Sequence, residues 1–207
     1  MDVARRRFAT QETLDAIRFT SFLLMKVVFR RLRSCVLGLV KSFARILIRP
    51  VIRRDLMRHA EWRFESFVIR YQESANVDAV SAVATGLLLI KLHDPMRYNR
   101  MARDMPVIWL STATRAHYMI GLGVCVMPAK QVLEDHFSRT ALILVHEATH
   151  ARINKAGIAY WPRLEGRMER MCLKEEARLA ARLEEAGFTG VDEYRAWLRK
   201  VESTLPQ

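Results

Sequence analysis

The chain has 207 residues, 51% of them apolar and 27% charged, the balance of a folded globular protein with one main core, which excludes a predominantly disordered one. The formal charge is +12, but it is unevenly placed: residues 1–63 hold 15 Lys and Arg against 5 Asp and Glu, whereas the remaining 144 residues hold 19 against 17. The three cysteines, Cys35, Cys125 and Cys172, have spacings that fit neither a zinc ribbon nor a disulfide framework, and so small and odd a number fits a reducing compartment.

From Leu14 to Ile48 apolar residues recur at helical spacing with basic residues in the gaps, as in Val27, Arg30, Arg31 and Leu32. This predicts a basic amphipathic segment of one or two helices that ends at Pro50. Arginines beside an apolar face suit either attachment to an anionic membrane surface through residues 14–54 or an ordinary helical layer with a solvated basic side. Nucleic acid is the less fitting partner, because the segment is too apolar for a basic arm and carries no recognition motif. A span would need about 18 uninterrupted apolar residues, and FLLMKVVF is stopped by Arg30, CVLGLV by Lys41 and ARILI by Arg49. No small-residue cleavage site closes the apolar run at 22–29, so the expected location is the cytoplasm, at most peripheral to a membrane. The expected organisation is a basic segment, 1–57, followed by a metal-binding domain, 58–207.

Helical spacing suggests a further helix from Arg58 to about Gln72, a break around SANVD, and another helix through Leu92. Asp94 followed by Pro95 marks a helix start, the carboxylate capping free amides and the proline sitting where no amide is needed, so residues 95–104 should form a short helix. PVIWLS at 106–111 and HYMIGLGVCVMP at 117–128 are rich in β-branched and aromatic residues and predict two antiparallel strands around an STATR turn. Gly121 and Gly123 mark a bulge or a close approach to the backbone. Helices are expected at about 129–137, 139–154 and 163–186, with Gly187 at the end of the last, and a final one at about 191–202. The fold class is α+β: mostly helical, with a small antiparallel sheet beside the helix at 139–154.

That helix contains HEATH. Two histidines four residues apart on a helix lie about 40° apart around the axis and about 6 Å apart along it, so His146 and His150 can reach one ion. Nitrogen donors in this arrangement suit tetrahedral zinc. Glu147 then falls beside the metal without binding it, positioned to take a proton from water. Leu142, Val145, Thr149 and Ile153 give the same helix a face for the core.

The H-E-x-x-H pattern at residues 142–153 resembles the zincin metallopeptidases; nothing in residues 1–100 contributes to the resemblance. It implies a motif helix packed beneath a sheet whose edge strand lines the substrate cleft, and the strands read at 106–128 precede the motif helix as that arrangement requires. The metzincin extension would need glycine and histidine where this chain has Ile153 and Ala156, which excludes that branch. The gluzincin branch implies a third ligand, a glutamate, from the following helix. If the two helices form an antiparallel hairpin through NKAGIAYWP, the ligand should lie about four to eight residues into the second one. Glu169 meets this condition; Glu175, Glu176 and Cys172 remain alternatives. Cys125 is a further one by analogy with the peptide deformylases, although its surroundings, GVCVM, lack their pattern. The resemblance also implies an oxyanion donor, for which Tyr160 is the candidate, and Arg163 and Arg167 are candidates to pair with Glu169 or to bind a substrate carboxylate.

These readings predict a zinc-dependent hydrolase, a metallopeptidase cleaving amide bonds of peptide or protein substrates. The alternative is a non-catalytic zincin-like domain that binds a membrane surface or a protein partner.

Overall fold

The computed structural model describes residues 50–71, 77–158, 164–188, 191, 194 and 196. The chain divides into two compact units, Met1–Val51 and Ile52–Gln207. The predicted basic amphipathic helices over residues 14–48 lie outside the described residues, as do most of the final helix expected at 191–202 and the candidates Tyr160 and Arg163.

The second unit is α+β. Its elements run β1 (Ala60–Phe64), β2 (Phe67–Tyr71), α1 (Val77–His93), α2 (Pro95–Asp104), β3 (Val107–Ser111), β4 (His117–Met119), β5 (Val124–Pro128), α3 (Ala129–Glu134), α4 (Phe137–Lys155) and α5 (Glu165–Glu185).

Residues 60–71 form an antiparallel hairpin, not the helix that their spacing suggested. Phe67, Ile69 and Tyr71 alternate with Val68 and Arg70, and Phe67 and Ile69 are fully buried, so a period of two matches the core where a period of 3.6 does not. The turn is Glu65–Ser66, without the Asn or Gly that usually announces a two-residue hairpin. Glu65 adopts φ 50°, a left-handed conformation that costs a non-glycine residue about 1 kcal/mol. Its carboxylate compensates by accepting a 2.7 Å hydrogen bond from the Tyr98 hydroxyl and pairing with Lys91.

The sheet order is β1-β2-β3-β5-β4. β2, β3 and β5 are mutually parallel, and β1 and β4 are antiparallel edges. The sheet is therefore mixed, which corrects the antiparallel pair expected from 106–128. The stretch 117–128 splits at a turn containing Gly123, whose φ of 70° favours glycine. The chain leaves β3, crosses to the edge as β4 and returns as β5 between them, so β5 runs parallel to β3.

One sheet face carries a row of matched residues, Ile69, Ile108 and Cys125, followed by Tyr71, Leu110 and Met127. These pack with Leu87, Ile90, Leu142 and Leu144 of α1 and α4 into one core. α1 and α4 cross closely at Gly86, where a Cβ would lie 3.2 Å from the Ala141 amide nitrogen and 3.3 Å from Thr140 Cγ2. The Asp94 and Pro95 signal is realised as read: the Asp94 carboxylate accepts from the Arg97 amide at 3.1 Å and Pro95 opens the helix. Gly187, at φ 81°, ends α5 with its amide on Glu184 O and that of Phe188 on Leu183 O.

Candidate metal centre

HEATH occupies the middle of α4, whose start is capped by His136. Leu142, Val145 and Ile153 are buried, and so are Glu147, Thr149 and His150. α5 packs against α4 in the opposite direction: His146 meets Glu176, His150 meets Cys172, and Ile153 packs with Met168. The helical hairpin brings Glu169 between the two histidines.

Three donors converge there. His146 Nε2 and His150 Nε2 lie 3.0 Å apart. Glu169 Oε2 is 3.3 Å from His146 Nε2, and its Oε1 is 3.5 Å from His150 Nε2. Zinc bound at about 2.0–2.1 Å in a tetrahedron requires neighbouring nitrogen and oxygen donors about 3.3 Å apart. The spacing and chemistry of His146, His150 and Glu169 fit that requirement.

Cys172 also belongs to a group with His146 and His150 whose donor atoms lie within 4.8 Å of one another. Its sulfur is 3.6 Å from both Nδ1 and Nε2 of His150. A sulfur equidistant from the two ring nitrogens does not lie along the lone-pair direction of either one. Burial, followed by the charge of Glu169, pushes the Cys172 thiol up. Donors 3.0–3.5 Å apart, against a spread of up to 4.8 Å for the group with Cys172, favour Glu169.

The other candidates sit elsewhere. Glu175 is bound to Arg97 at 2.6 Å and to Arg178. Cys125 is fully buried in β5, where burial and then the charge of Glu147 push its thiol up. Arg167 is exposed.

Glu176 does not join the three donors. Its carboxylate accepts from His146 Nδ1–H, which leaves Nε2 of that ring facing His150 and Glu169. The other oxygen, Oε2, accepts from the Tyr194 hydroxyl at 2.8 Å. A buried carboxylate behind a ligand histidine fixes the ring's tautomer and raises its basicity. The sequence offered Glu176 only as an alternative ligand and did not single out Tyr194. A seven-residue interval from Glu169 to Glu176, two turns along the same face, is the one trace of this arrangement.

The charges are strongly coupled. Burial opposes a charged His146, but hydrogen bonds to Glu169 and Glu176 outweigh it and lift the imidazole to about 10. His150 is held down to about 4 by burial and then by the neighbouring His146 charge.

Glu147 is 5% exposed. Burial raises its pKa to about 7, against the charge of His146 and a hydrogen bond from the Tyr118 backbone. Among the described residues its Oε2 has no hydrogen-bond partner. It lines a cleft of about 460 Å³ with His146, His150, Glu169 and residues of the β4 edge, including His117 and Tyr118. The carboxylate is thus separate from the donor set and buried in the wall of the cleft. Comparison with family models, curated proteins and solved structures finds no match to this chain.

Proposed function

We propose that the protein is a zinc-dependent hydrolase of the zincin kind, cleaving amide bonds of peptide or protein substrates. The observation that carries this reading is the convergence of His146, His150 and Glu169 at tetrahedral spacing, with the independent buried carboxylate of Glu147 in the same cleft.

His146, His150 and Glu169 would hold the zinc, which when bound polarises a carbonyl and makes water a better nucleophile at neutral pH. Glu176, backed by Tyr194, keeps the His146 ring turned so that Nε2 serves as the donor. Glu147 supplies the base: a carboxylate that titrates near neutrality can accept a proton from the attacking water and return it to the leaving amine. β4 is the outer strand of the sheet, and a strand edge pairs readily with an extended peptide. The oxyanion role of Tyr160 rests on the sequence alone.

Glu147→Gln tests the reading. The variant should retain zinc at the wild-type level while peptide hydrolysis falls by about 10²- to 10⁴-fold, the scale of a lost general base. Retained zinc with no hydrolysis by wild type or variant would favour the non-catalytic binding domain.

A further inference from the structure

The cleft differs along its length, and the difference bears on what it would select. Tyr118, the central residue of β4, lines the cleft together with Glu147. Three residues before it, Arg115 lines one part of the cleft; two residues after it, Ile120 lines another. Arg115 precedes β4 by two residues and Ile120 follows it directly, so the two flank the ends of the strand and, by the reach of the chain, lie at most about 10 Å and 7 Å from Tyr118.

Arg115 is exposed and is the one lysine or arginine among the described residues lining the cleft. Its guanidinium forms no ion pair or hydrogen bond among the described residues. Ile120 leaves 41% of its surface open, an apolar side chain whose cover would come from whatever occupies the cleft. A guanidinium with five donors in a planar fork recognises a carboxylate, and an open isoleucine recognises an apolar side chain.

Resting on the peptidase reading above, we propose that the cleft selects peptides with a carboxylate within about three residues on one side of the cleaved bond and an apolar side chain within about two residues on the other. The carboxylate comes from an Asp or Glu side chain or from the chain end. Arg115 and Ile120 are then specificity-determining residues that leave the hydrolytic step to Glu147.

The test is digestion of a random peptide mixture, with free and with amidated C-termini, by the full zinc-loaded chain, reading cleavage positions by mass spectrometry. The wild type should enrich Asp and Glu on one side of the cut and apolar residues on the other. Loss of the acidic preference on amidation would assign the carboxylate to the chain end. Arg115→Glu should turn the acidic preference into a Lys and Arg preference at the same position, with the apolar preference intact. For a matched Glu and Lys peptide pair, the ratio of kcat/KM should shift by about fivefold or more, the scale of an exposed charge pair, and the shift should shrink in high salt. Ile120→Ser should weaken the apolar preference alone. Cleavage without an acidic preference, or a preference unmoved by Arg115→Glu, overturns the selection while sparing the peptidase reading; no cleavage by wild type overturns both.

Discussion

The Nδ1–H of His146 is held by Glu176, and Glu176 in turn by Tyr194. Replacing the carboxylate behind a ligand histidine typically lowers metal affinity about 10- to 100-fold, so Glu176→Gln should do so here. Tyr194→Phe removes one neutral hydrogen bond, about 1 kcal/mol or fivefold in affinity. Competition with a coloured chelator measures both, and wild-type affinity in both variants would contradict the orienting role. Cys172→Ser should leave zinc affinity within about twofold, because the group that its sulfur forms with the two histidines spreads to 4.8 Å; a loss as large as that of Glu169→Ala would make it a ligand instead. Much of this site was legible because i, i+4 spacing on a helix fixes where His146 and His150 sit, and the length of the helical hairpin indicates the depth of Glu169. The partner of Nδ1 was not legible. It depends on how α5 rotates about its own axis, which is set by packing rather than by local pattern.

At the scale of elements, α5 is fastened by a buried cation. Arg97, with its side chain 8% exposed, pairs with Asp94 at 3.3 Å and Glu175 at 2.6 Å, and donates to the Glu175 carbonyl at 2.8 Å. Arg97→Met would leave two largely buried carboxylates short of a partner, a loss of about 3 kcal/mol, visible as a lower urea midpoint with an unchanged slope. An unaltered midpoint would mean that Arg178 and Arg182 neutralise those carboxylates unaided. Gly86→Val should destabilise by about 1–3 kcal/mol, since its methyl groups would meet the α4 backbone; the same urea series reads it. The helix start at Asp94 and Pro95 was legible because capping is local chemistry. The β1–β2 hairpin was not, because Glu65–Ser66 carries no turn signature and Trp62, Phe64, Phe67 and Ile69 also satisfy a loose helical spacing. The parallel pairing of β3 with β5 was hidden by the short β4, which only the tertiary fold separates from β5.

Across the whole molecule, most of the excess charge lies in the first 63 residues, while His146, His150, Glu169, the cleft and the sheet belong to the unit Ile52–Gln207. Among the described residues no helix is long and apolar enough to cross a membrane. If the basic segment binds an anionic surface, the full chain should sediment with phosphatidylserine vesicles in low salt and be released as ionic strength rises and the Debye length shrinks. Arg30, Arg31 and Arg33 changed together to Ala should weaken sedimentation; binding indifferent to salt and to these changes would exclude an electrostatic attachment. The zinc account meets its most direct test in elemental analysis of purified protein, wild type beside His150→Ala and Glu169→Ala. Near-stoichiometric zinc in the wild type that falls in both variants is the predicted result. Folded wild type that takes up no zinc even when incubated with it would contradict the metal centre and the hydrolase built on it.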